Sequence, residues 1–274
     1  VDAFGGCAVV AIGAVVIALI VAAAMHAARV ERERTEALRA IAARLGLSFT
    51  REDASLDDRM SRFPMFTLGH SRRGLNLMEG AAVVGGLRVR LLMGDYRYKI
   101  TRSDGKRTRT TVYNLSFAAV SPSLSVPEDL TVRAEGFLDK LGAMIGFDDI
   151  DFESSEFSKR FHVKCSDRRF AFDLFEPRMM EYFLASTPPT IHARGGMLLF
   201  DRGVRRWEPG DFDANLAWID GFLSRVPRHV RDARLPDHER EFDPVLNPGR
   251  TLAGGGSDAA APPPPPLHSP GEQP

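Results

Sequence analysis

The chain contains almost no cysteine, carries no net charge and spells out no recognised catalytic signature. Its two cysteines are Cys7 and Cys165. One lies in an apolar run and the other far downstream, so the chain can build neither a disulfide framework nor a zinc cluster from thiols. Sparse cysteine fits a reducing compartment. The 36 Lys and Arg balance 36 Asp and Glu. Net charge therefore points neither to nucleic acid nor to acidic partners. The sequence lacks a phosphate-binding loop, a dinucleotide fingerprint and a nucleophile-elbow pentapeptide. Seven histidines are scattered, with none at the i, i+4 spacing of helix-borne metal ligands. No catalytic residue, metal or cofactor is expected on these grounds.

What is present begins with an apolar run from Cys7 to Met25, without one charged side chain. As a helix it spans about 28 Å, close to the hydrocarbon thickness of a bilayer. No basic segment precedes the run and it is long for a signal peptide, so it reads as an anchor over 7–27. The preceding flank has no Lys or Arg, whereas Arg29, Arg32, Arg34, Arg39 and Arg44 follow. By the positive-inside rule, residues 1–6 are expected outside and the rest in the cytoplasm, as in a bacterial inner-membrane protein. Ala14, Ala18 and Ala22 place small side chains on one helix face, a spacing that permits helix self-association. An Ala-rich anchor also contains that spacing by chance, which is the preferred reading.

The expected fold class is α+β: an N-terminal transmembrane helix, then an antiparallel β-meander with packed helices. Residues 28–121 form a juxtamembrane helix and the meander. The helix ends near Gly46, and Arg32 and Glu36 have the spacing of an ion pair. Strands are predicted over 47–50, 74–82, 86–101 and 108–120, from alternation such as Leu87, Val89 and Leu91 against Arg88 and Arg90. Residues 122–230 read as a further α+β region that could form a second subdomain. It holds a strand over 130–134, helices over 137–145 and 154–161, and a strand over 161–165. A helical stretch over 168–184 contains Pro177, which either breaks the helix or sits at the first turn of a second one. A hairpin turns at Gly195-Gly196, and an amphipathic helix covers 213–226. Residues 231–274 are polar and proline-rich, a composition expected to stay disordered.

The most distinctive local feature is a basic strand–turn–strand holding Arg97, Lys99, Arg102, Lys106, Arg107 and Arg109 against Asp95 and Asp104. Beside a membrane such a cluster can bind anionic lipid, and it can also hold nucleic-acid phosphates. A solvated edge hairpin carries basic residues as well, because they oppose edge-to-edge aggregation. His162 and Cys165, three apart on a strand, point to opposite faces, so Cys165 reads as a structural cysteine. The acidic run Asp148, Asp149, Asp151, Glu153 and Glu156 matches no calcium loop and reads as a solvated approach to a helix.

Two groups of residues occur together. One is Phe63-Pro64-x-Phe66-x-x-Gly69, Asn76, Gly80 and Asp95-Tyr96-x-Tyr98. The other is Phe152, Ser155-Glu156-Phe157, Phe161, Val163 and Phe175-x-Pro177. From about residue 34 to 226 they resemble a family of bacterial single-pass membrane proteins of unknown function. The resemblance implies an anchored α+β domain and carries no activity, cofactor or site residue.

The leading expectation is a non-enzymatic interaction or scaffold module, tethered by its helix to the bilayer, with an unidentified protein partner or a second copy of itself. A membrane-tethered enzyme with a site assembled from distant residues is the first alternative. Nucleic-acid binding through the hairpin is the second and is disfavoured.

Overall fold

The computed structural model describes residues 3–122, 127, 129–135 and 149–232, with backbone alone for 3–12. The predicted helix over 137–145, Asp148 and the proline-rich tail lie outside the described residues. The chain divides into Val1–Arg234 and Leu235–Pro274, and the first unit holds every element of the fold.

Helix α1 runs without a break from Ala3 to Arg44, about 63 Å. It contains one stretch long and apolar enough to cross a membrane, and none of that stretch is buried by the rest of the protein. An α-helix apolar on every face needs an apolar environment, so this geometry fits anchoring. The character changes at Glu31. From there Arg34, Thr35, Leu38, Ile41 and Ala42 turn one buried stripe toward the domain. Gly46 ends the helix at φ +69°, a left-handed conformation that glycine adopts at least cost. Glu36 pairs with Arg39 (2.8 Å) rather than with Arg32. Arg29 takes Glu33, and Arg32 has no ion pair among the described residues.

The remaining elements build an antiparallel sheet with helices packed on it. In chain order they are β1 (Ser48–Asp53), α2 (Leu56–Arg59), β2 (His70–Val84), β3 (Leu87–Ser103), β4 (Thr108–Pro122) and β5 (Leu130–Ala134). Next come α3 (Ser155–Arg160), β6 (Phe161–Lys164), α4 (Arg168–Leu174), α5 (Pro177–Leu184), β7 (Thr190–Arg194), β8 (Met197–Asp201), α6 (Pro209–Arg225) and α7 (Arg228–Asp232). The sheet order is β1-β2-β3-β4-β8-β7-β5-β6. The fold is thus an apolar N-terminal helix followed by an antiparallel α+β domain. Of the two places expected for Pro177, the structure has the second: α4 stops at Leu174 and Pro177 starts α5 at its first turn, where a missing N–H costs nothing.

The alternation along β3 divides the core. Val89, Leu91 and Met93 join the larger apolar cluster with α1, α6 and the phenylalanines of α3–α5. Leu92, Tyr96 and Tyr98 join a second cluster on the opposite face, closed by Leu56, Met60, Phe63, Met65 and Phe66. Each large side chain buried this way stabilises the fold by about 1.5–3 kcal/mol.

The direction of α1 against the sheet is fixed by two contacts. The Thr35 hydroxyl donates to Asn76 Oδ1 (3.0 Å), whereas Leu47, just past the helix end, sits against Gly80. α1 therefore travels with β2, away from the apolar end. The apolar end of the helix lies on the same side as the start of β2, the end of β3 and the start of β4.

Candidate functional site at the anchor–sheet junction

Two groups of charges occupy the end of the sheet nearest the apolar helix. One is the hairpin read from the sequence, and the other is buried where α1 meets β3.

The β3–β4 ribbon pairs without interruption from Val89↔Pro122 to Ser103↔Thr108, and beyond Lys99, where β2 stops pairing with β3, it continues as a two-stranded arm. Its turn is held by Asp104, whose carboxylate accepts from the backbone N–H groups of Lys106 (3.0 Å) and Arg107 (2.8 Å). Those two bonds hold the Asp104 carboxyl below its ordinary pKa. Arg102, Lys106, Arg107 and Arg109 are exposed, and Lys99 is half-buried. None of these five forms an ion pair among the described residues. Arg97 differs: it is half-buried and donates through Nε to Asn114 Oδ1 (2.8 Å). The arm therefore presents five unpaired cations and one structural arginine.

The second group was not assembled from the sequence. Asp95 is 1% exposed and Arg34 9%. Arg34 donates from Nε (3.0 Å) and Nη2 (2.8 Å) to the two oxygens of Asp95, a bidentate fork. Arg206 also reaches Asp95 Oδ2 through Nε (3.2 Å) and holds both oxygens of Glu31 (2.8 and 2.6 Å). Two arginines thus face two carboxylates from three separate parts of the chain. Ser116 donates to Asp95 and accepts from the Trp207 backbone N–H (2.9 Å). Asn76 donates to Asp95 (3.4 Å) while accepting from Thr35. Asn76 sits at φ +52°, in the irregular register between Leu75 and Met78. Asn tolerates that conformation better than most residues, and the bulge aims its side chain at α1.

The electrostatics are set by this packing. The Arg206 guanidinium holds Glu31 below the usual carboxylate range. Burial opposes the charge of Arg206, but Glu31 and Asp95 outweigh it and raise its pKa. The network ties α1 to β3 and to the segment after β8, so it joins the helix to the sheet.

The other candidates read from the sequence lie away from this joint. Ala14, Ala18 and Ala22 are exposed on α1, and no described residue packs on them. Cys165 is buried, and burial pushes its thiol up to about 11, the opposite of an activated nucleophile. His162 is held between the carboxylates of Asp149 and Glu135. Among the described residues no group of His, Cys, Asp and Glu has the arrangement of a metal site. One signal for the joint was present in the sequence. Asp95 stands in the run Leu91-Leu92-Met93-Gly94-Asp95-Tyr96, and a carboxylate in such a strand requires a charged partner.

No protein-family model matches the chain, and no curated protein matches it. The resemblance to a single-pass family therefore gains no support from sequence comparison. Among solved structures, the chain is similar to the crystal structure of the mycobacterial trehalose monomycolate transport factor A, TtfA. The identity is 15%, the TM-score is 0.47, and the match covers 72% of this chain and 97% of that chain. That is a distant and partial structural likeness.

Proposed function

We propose that the protein is a membrane-anchored, non-enzymatic module whose α+β domain sits on the cytoplasmic face of the bilayer and presses its basic β3–β4 arm on anionic lipid. The observation that carries this reading is direction. α1 leaves the sheet toward the arm, so the five unpaired cations lie on the side where the apolar run enters lipid. From Asp95 β3 extends eight residues to Ser103, about 26 Å, the part beyond Lys99 being free of β2. From Arg34 to Ala27 the helix rises seven residues, about 10 Å. The arm is long enough to reach the headgroups. The cost of burying charge in hydrocarbon keeps it at the surface, and the strong twist of a two-stranded ribbon lets it lean across the bilayer. The five arginines after the apolar run support the cytoplasmic side.

The test uses the full chain in lipid nanodiscs with a spin label on Ser103→Cys in a Cys7→Ala background. On phosphatidylserine-containing discs the label is expected to be immobilised, and on neutral discs mobile. Substituting Arg102, Lys106, Arg107 and Arg109 by Gln should abolish the difference. Each cation near such a surface contributes about 1 kcal/mol, so high salt should also abolish it. Equal mobility on both disc types would sink the lipid reading.

A further inference from the structure

We propose that the loop between β8 and α6, residues 202–208, is a second bilayer contact, with Val204 as its apolar tip and Arg205 at headgroup level. The proposal rests on α1 being the anchor and not on the basic arm. Antiparallel pairing of β8 with β4 (Val120↔Leu198 through Phe117↔Asp201) makes β8 run toward the membrane end of the sheet. The chain passes the end of β8 at Gly203 and Val204 and comes back beside β4 at Arg205, whose carbonyl accepts from Ser116 N–H (3.0 Å). Arg206 then clamps Glu31. Glu31 is four residues past the end of the anchor at Ala27, about 6 Å along the helix. A phospholipid headgroup layer occupies that depth, since it adds about 5–8 Å to each side of the hydrocarbon core.

The loop has the chemistry for that layer. Val204 is 44% exposed although apolar. Arg205 beside it keeps a largely exposed guanidinium, 3.5 Å from Asp211. An apolar tip with an adjacent cation matches the acyl–phosphate boundary. The loop is also ordered in advance. Gly203 turns at φ +68°, its N–H donates to Asp201 Oδ1 (2.7 Å), and Arg205 N–H donates to the Gly203 carbonyl (2.7 Å). Contact therefore requires little ordering entropy. The exposed Val112 on β4 pairs with Lys99 at the same end of the sheet, whereas Val83, 70% exposed, lies at the far end beside Gly85.

Spin labels on Val204→Cys, Val83→Cys and Ala22→Cys, each in the full Cys7→Ala chain in nanodiscs, test the proposal through collisions with oxygen and with a water-soluble nickel chelate. Relative to the Val83 label, the Val204 label is expected to lose chelate collisions and gain oxygen collisions, on neutral and anionic discs alike. If Ala22 reads bilayer and Val204 reads like Val83, the anchor stands and the loop contact is overturned. If Ala22 also reads water, the anchor reading falls and takes the loop contact with it. The first result leaves the arm experiment on Ser103→Cys to be judged separately.

Discussion

Asp95 neutralises two arginines in a place water does not reach, and this makes it the side chain on which the junction depends. Replacing it with Ala leaves Arg34 and Arg206 facing each other with only Glu31 between them, and it strands the Ser116 hydroxyl and the Asn76 amide. Breaking a buried charge pair from one side costs about 3–5 kcal/mol. Asp95→Ala should therefore lower the thermal unfolding midpoint of the detergent-solubilised protein by several degrees or more. Arg34→Met should cost less, because Asp95 keeps Arg206, Ser116 and Asn76. Equal losses for the two would mean that Arg206 does not share the carboxylate. The same residues show why the sequence hid this site. Arg34 and Asp95 are 61 positions apart and Glu31 and Arg206 are 175 apart. Read locally, Arg34 counts toward membrane topology and Asp95 merely dilutes a basic hairpin. Only the register of β3 and the bulge at Asn76 bring them to one face.

Elements were far more legible than contacts, because alternation and punctuation are local. The long strands, the Gly195-Gly196 hairpin and the helix continuing from the anchor follow from period and turn residues. The strands run a few residues longer than predicted because paired backbone extends past the last alternating side chain. The neighbour relation β4–β8 was not legible, since nothing in a strand's own sequence names a partner about 80 residues away. Gly85 shows how such contacts are enforced. It turns at φ +60°, and a Cβ there would come within 2.5 Å of Leu223 Cβ and of the Ser224 backbone nitrogen in α6. At Gly86, with φ +76°, a Cβ would meet nothing within 4 Å. Gly86→Ala should cost only the left-handed backbone, about 1–2 kcal/mol. Gly85→Ala should add about 1–3 kcal/mol of overpacking. Chemical denaturation of the two variants checks the difference, and equal costs would show that α6 does not rest on the β2–β3 turn. The link between α1 and the β8–α6 loop makes a pH prediction as well. Arg206 holds the folded pKa of Glu31 below its unfolded value. The stability from that pair is present above the ordinary Glu range and lost as pH falls through the depressed folded value. Glu31→Gln should flatten the acid limb of the stability curve. An unchanged acid limb would mean that Glu31 does not feel Arg206.

At the scale of the whole molecule, one uninterrupted helix is both anchor and core element, and this sets how the domain meets the bilayer. A flexible tether would let a domain tumble, and its contacts would depend on chance encounter. Here the stripe Arg34, Thr35, Leu38, Ile41 and Ala42 is buried in the fold while the same helix continues into the apolar run, so the orientation of the domain follows the tilt of α1. The polar joint near the membrane and the apolar packing farther along have different roles. The apolar contacts supply most of the holding energy but little register, since Leu and Ala slide past one another at small cost. The bidentate Arg34–Asp95 fork tolerates one geometry and fixes the rotation of the helix. Breaking the rod between membrane and joint should therefore separate folding from orientation. Ala27→Pro sits above Glu31, outside the docked stripe, and a proline inside a helix removes a backbone bond and kinks it. The domain should keep its near-ultraviolet circular dichroism. The Ser103 and Val204 labels should both lose their bilayer signatures, because arm and loop no longer arrive at the surface together. If both labels keep those signatures after the break, lipid attraction alone orients the domain and the continuity of α1 is incidental.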